Sequence, residues 1–220
     1  MNKSLVKLLA GAAVASVLTT AANAGGGYVN IDVMRQRNWG PVYAITYLTA
    51  DWVGGNLRAS STAVGNNISL STEGSTFTYL NQVQLADVGA ELSAHVGNVA
   101  GDVDLSSTAI CNNISASTKK ANAVHFESDQ RCETEDPYAI TNAIGYQIGG
   151  DFVVSAASVA NNAAFVAESA STNLHTVQVN PAIVSAVVNA EAYNIGGNVD
   201  VSATAIGNNV SLNHSFGGTP

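Results

Sequence analysis

The chain is poor in the residues that most enzymes and nucleic-acid-binding proteins depend on. Only 11% of its 220 residues are charged and 6% aromatic, and it has two cysteines and four prolines. Eight basic residues against sixteen acidic ones give a formal charge of −8. That balance excludes a phosphate-tracking surface, which needs clustered Lys and Arg, so no nucleic-acid partner is expected. Too little charge is present for a solvated disordered coil, and too few large apolar side chains for one thick core. Catalytic signatures are missing as well: there is no nucleophile elbow and no P-loop. His95, His125, His175 and His214 are scattered, without a ligand pair at helical spacing. We expect no enzyme activity, no metal and no cofactor.

The first two dozen residues read as an export signal. In "MNKSLVKLLAGAAVASVLTTAANA", Lys3 and Lys7 form the positive region, Leu8 to Leu18 the apolar stretch and Ala22-Asn23-Ala24 the cleavage site. The apolar run is interrupted and falls short of the roughly 20 residues a membrane span needs. Cleavage after Ala24 removes two lysines and moves the formal charge from −8 to −10. In the oxidising compartment beyond, Cys111 and Cys132 are expected to pair.

What the chain does have is repetition. Four stretches start "GNLRASSTAVGNNISL" at Gly55, "GDVDLSSTAICNNISA" at Gly101, "GDFVVSAASVANNAAF" at Gly150 and "GNVDVSATAIGNNVSL" at Gly197. These repeat cores span 55–70, 101–116, 150–165 and 197–212, beginning 46, 49 and 47 residues apart. In each, the opening glycine lies eleven residues before a doubled asparagine: Asn66 and Asn67, Asn112 and Asn113, Asn161 and Asn162, Asn208 and Asn209. Gly65 and Gly207 precede two of these pairs. Gly and Asn tolerate positive φ, so both ends of the phrase read as corners. Between them the residues alternate with period two. Val199, Val201, Ala203 and Ala205 face one way, and Asp200, Ser202 and Thr204 the other, the pattern of a half-buried strand.

The organisation expected is a signal peptide at 1–24, an N-terminal segment at 25–40, one repeat domain at 41–215 and a tail at 216–220. The stretch 117–136, densest in charge, is expected to be a solvated insertion loop. With about four strand-length segments per repeat, each repeat reads as two coils of about 23 residues. The fold class is all-β, a β-solenoid in which each repeat buries its apolar face on its neighbours. A four-bladed propeller is the competing all-β form, and a helix could be drawn over Ala182 to Ala192.

Stacked repeats would align the corner asparagines into amide ladders. The Thr62, Thr108 and Thr204 column raises ice or glycan binding as an alternative, and Asp102 with Asp104 raises a polysaccharide-active enzyme. The Asn-x-Ser matches at Asn67, Asn113 and Asn209 read better as ladder positions than as glycosylation sites.

With its export signal and its "TAVGNN", "TAICNN" and "TAIGNN" phrases, the chain resembles the exported curli-related surface proteins, including the holdfast-anchoring proteins of stalked alphaproteobacteria. It keeps the Gly, Asn and Ser of the curli repeat and lacks, on this reading, the regular Gln. The resemblance implies a place outside the cell or on the outer-membrane surface, self-association and a role in adhesion. The partners it implies are the protein itself, outer-membrane secretion or anchoring proteins, and surface polysaccharide.

Overall fold

The structure, a computed structural model, describes residues 7–10, 22–23, 30–133 and 136–216. Every regular element among them is a strand. They run β1 (Lys7–Ala10), β2 (Ala22–Asn23), β3 (Asn30–Asn38), β4 (Val42–Val53), β5 (Leu57–Glu73) and β6 (Thr76–Gln84), followed by β7 (Val88–Val99), β8 (Val103–Cys132), β9 (Tyr138–Ile148), β10 (Phe152–Val179), β11 (Ser185–Ile195) and β12 (Val199–Phe216). The helix that could be drawn over Ala182 to Ala192 is a strand, β11, from Ser185 onward.

Two sheets share these strands. The first has the order β1-β4-β7-β9-β11, and the second β12-β10-β8-β6-β3-β2, with β5 also on β8. All pairings are parallel except those of β1 and β2, the two short pieces from the expected signal segment, which lie antiparallel on β4 and β3. The rest of that segment lies outside the described residues.

The register repeats once per sequence repeat. Val42 stands beside Val88, Gly89 beside Tyr138, and Tyr138 beside Ser185. In the second sheet Leu57, Val103, Phe152 and Val199 form one row. We call each group of one first-sheet strand and the second-sheet strands that follow it a rung: 42–84, 88–132, 138–179 and 185–216. β3 precedes the first of them as half a rung.

This corrects the expectation of two short coils per repeat. The doubled asparagine does not end a strand; β8 and β10 run through it for 30 and 28 residues. Pairing skips a single position there, with Ile110 beside Val159 and Asn112 beside Asn161. The asparagine position is therefore a bend inside a strand.

The stretch 117–136 is also not an insertion loop. Its residues to Cys132 belong to β8 and pair with β6 on one side and β10 on the other. The charge conceals an ordinary alternation: Val124, Phe126, Ser128, Gln130 and Cys132 are buried, while His125, Glu127, Asp129 and Arg131 are not. Arg131 donates through Nε to Asp129 at 3.0 Å, and that pairing raises its pKa.

Burial is thick at two ends of each rung and thin in the middle. Leu92, Val96, Leu105, Ile148 and Phe152 pack at one end, and Ile68, Leu80, Ile114, Phe126 and Phe165 at the other. Between them lie small residues, among them Ala90, Ala109, Cys111, Cys132 and Ala156. The Cys111–Cys132 disulfide joins the two arms of β8 across this thin zone. Closing a loop of 21 residues stabilises the fold by about 3 kcal/mol on the chain-entropy account.

Two columns shape the turn from the first sheet to the second. Asn56 Oδ1 accepts the Asp102 amide at 3.0 Å, Asp102 Oδ1 the Asp151 amide at 3.0 Å, and Asp151 Oδ1 the Asn198 amide at 2.7 Å. These side chains lie where a Cβ on Gly101, Gly150 or Gly197 would sit, so the repeat's opening residue must be glycine there. Just upstream, Trp52, Asn98, Gln147 and Asn194 all adopt left-handed φ, between 50° and 62°. A β-carbon in that region costs about 1–2 kcal/mol. Gln147→Gly, at an exposed position, is therefore expected to raise stability by about 0.5–1 kcal/mol, read as a shift in the urea midpoint with an unchanged slope.

Candidate functional site: the amide ladders and the terminal rung

The bend sets the two asparagines of each pair on opposite sides of the wall. Asn66, Asn112 and Asn161 are buried, whereas Asn67 is exposed and Asn113 and Asn162 are partly so. Each set forms its own ladder. On the inside, Asn66 Nδ2 donates to Asn112 Oδ1, Asn112 to Asn161 and Asn161 to Asn208, each at 2.8 Å. On the outside the direction reverses. Asn113 Nδ2 donates to Asn67 Oδ1 at 2.7 Å, Asn162 to Asn113 and Asn209 to Asn162, both at 2.8 Å. A buried amide that loses its partner costs about 1–3 kcal/mol, so the inner ladder holds neighbouring rungs in register.

A third ladder escaped the reading of the sequence, which found no regular glutamine. Gln36, Gln82, Gln130 and Gln178 form a column: Gln82 Nε2 donates to Gln36 Oε1 and Gln130 to Gln82, both at 3.0 Å, and Gln178 to Gln130 at 2.7 Å. The same nitrogens reach across the interior to the carbonyls of Asn67, Asn113, Asn162 and Asn209 at 2.8 to 2.9 Å. Each glutamine thus satisfies the backbone acceptor beside the bend. Its column was legible as a residue recurring at the repeat spacing. Only Gln130 lies within 117–136, where the charged neighbours mask it; Gln36, Gln82 and Gln178 stand outside the repeated phrase.

The other candidates take structural places. Gly65, Cys111, Ala160 and Gly207 occupy the bend position. Asp102 is engaged in the turn column, and Asp104 pairs with Arg58 at 3.9 Å on the surface. Thr62, Thr108 and Thr204 share one row, broken by Ala157. That leaves the flat double row needed for ice binding unformed. Among the described residues no cluster of three His, Cys, Asp or Glu could hold a metal.

The ladders run out at the fourth rung, where burial also ends. Every residue of β12 is exposed. Val199, Val201, Val210 and Leu212 remain 41 to 50% accessible, although their equivalents in β8 and β10 are buried. The sequence matches the family model of holdfast attachment protein D over residues 2–163 and again over 81–217. The chain belongs to this family. Two overlapping matches are what a chain of similar repeats produces. Membership in the holdfast attachment protein D family carries a role in adhesion and anchoring and a cell-surface or extracellular location. No curated protein and no solved structure matches the chain.

The inner and outer asparagines differ in what their loss exposes. Asn112→Ala leaves the Asn66 donor with only its longer contact to Gln84, at 3.4 Å, and strands the Asn161 acceptor in the interior, and is expected to cost about 2–3 kcal/mol. Asn113→Ala, where water can replace the lost partners, should cost less than about 1 kcal/mol. Equal losses in chemical denaturation would contradict the inside–outside assignment.

Proposed function

We propose that this holdfast attachment protein is an exported, non-enzymatic anchor that self-associates. On this reading its parallel sheets close into a β-solenoid of four repeats, and its working form is an assembly holding extracellular adhesive material. The observation that carries the reading is the bare fourth rung, an apolar surface of strand length with the two asparagine ladders ending on it. Unpaired strand edges of that kind recruit further strands unless something covers them. The reading predicts that protein recovered from the cell surface sediments as species of many protomers with parallel β-sheet infrared bands. A stable monomer at micromolar concentration would overturn it.

A second reading has one specific observation behind it, and it concerns the outer face of the first sheet. Five of the seven tyrosines stand there: Tyr43, Tyr47, Tyr138, Tyr146 and Tyr193. Tyr138 lies against Gly89 and Tyr146 against Gly97, where any Cβ would collide with the ring. Burial, then Glu91 and Asp87, raises the pKa of Tyr138. The four strands β4, β7, β9 and β11 carry no Lys or Arg, but include Asp51, Glu91 and Glu191. Flat rings on a cation-free sheet suit the apolar faces of neutral or amino-bearing sugars. On this reading Tyr47→Ala together with Tyr193→Ala lowers retention of surface polysaccharide several-fold in pull-down while sedimentation is unchanged. Unchanged retention would remove it.

A further inference from the structure

The two ends of the stack have complementary shapes. At the C-terminal end β12 covers β10 only from Phe152 to Ser169. Among the described residues no strand lies on the far side of the arm that follows, where Leu174, Thr176 and Gln178 are only half-buried although their neighbours Phe126, Ser128 and Gln130 are buried. At the N-terminal end the first strand of the stack is β3, which belongs to this same arm: Asn30–Asn38 aligns through β6 and β8 with Thr172–Asn180. One end lacks half a rung and the other supplies it.

We propose that copies of this chain join head to tail in one defined register, with β3, β4 and β5 of a second copy stacked on the β10 arm, β11 and β12 of the first. The proposal rests on the self-association argued above and gives it a partner, a polarity and an interface. It also uses the export reading, because removal of residues 1–24 takes β1 and β2 off the edges of β4 and β3. The outer edge of β5 carries no strand as it stands.

Extending the internal register by one step shows how closely the ends match. "LRASSTAVGNNISL" of the second copy falls on "VDVSATAIGNNVSL" of the first, so Ser meets Ser, Thr meets Thr, Gly207 meets Gly65, and each asparagine meets an asparagine. All three ladders continue in their existing directions. Asn208 Nδ2 faces the second copy's Asn66 Oδ1, the second copy's Asn67 Nδ2 faces Asn209 Oδ1, and the second copy's Gln36 Nε2 faces Gln178 Oε1. The turn column continues as well, with Asn198 Oδ1 placed to accept the second copy's Asn56 amide. The only oppositely charged pair in the register is the second copy's Arg58 on Asp200, which repeats the Arg58–Asp104 pair within the chain. No position sets like charges together.

The test is a disulfide that only this register allows. Ser60 and Ser202 share one outward row but lie three strand steps apart, about 14 Å within a copy. Between stacked copies they become neighbours, at a separation a disulfide spans. Full-length protein carrying S60C and S202C, oxidised at the cell surface, is expected to give a ladder of covalent multimers on a non-reducing gel, and either substitution alone at most a dimer. Adding Ala203→Lys, an exposed position in the free chain that faces the next copy's core, is expected to reduce the ladder at least tenfold with the fold unchanged by circular dichroism. Large assemblies that sediment but never cross-link would overturn the register and leave self-association standing. Protein that stays monomeric would overturn both.

Discussion

The inner asparagine ladder is the constraint on which the other features depend. A buried amide must find both a donor and an acceptor, and the same amide one rung above and one below supplies them, with Gln84 and the Val179 carbonyl adding acceptors for Asn66 and Asn161. Asn112 meets this by accepting from Asn66 and donating to Asn161, at 2.8 Å each. A slip of one residue would turn each buried asparagine outward and leave its neighbours unpaired. The apolar residues alone could not enforce this. Val, Ile, Leu and Ala alternate so uniformly along these strands that several registers would bury similar areas.

The sparse composition follows from that arrangement. A rung with two arms of a single strand joined by a disulfide and bridged by glutamine leaves little width at its centre, so Ala, Ser and Cys fill the interior there. Larger residues gather at the two ends, where Phe126 and Phe165 stack at 5.1 Å. Beside the mid-strand bend the carbonyls of Asn67, Asn113, Asn162 and Asn209 each accept a glutamine amide from the opposite arm, which ties the two arms together.

How much of this the sequence showed depended on whether a signal was periodic. The strands, their inward and outward faces, the repeat offsets and the asparagine columns were all visible as recurrences. The left-handed column was not, because Trp52, Asn98, Gln147 and Asn194 are not of one residue type; only the backbone reveals that they are equivalent. The arm from Ser117 to Cys132 was misread for a different reason. Its outward positions hold His125, Glu127, Asp129 and Arg131, and averaged over a window they hide the buried Phe126 and Gln130. The same charge masks Gln130, one member of the glutamine ladder, while reading the doubled asparagine as a corner halves the apparent length of a coil.

The ladders are polar, and this bears on how an anchor could be built. The inner asparagines donate toward the C-terminal end, while the outer asparagines and the glutamines donate toward the N-terminal end. A second chain docked upside down would set donor against donor in the inner asparagine column and acceptor against acceptor in the outer asparagine and glutamine columns, and strand pairing would become antiparallel. A chain docked in the same sense meets a partner for every group. The contact between two copies would then be equivalent to the contact between two rungs inside one, with the same strand pairing and the same amides. A load carried along such a stack would meet, between copies, the same strand pairing and the same amides that hold rungs together inside one copy, which is a property that suits attachment to a surface.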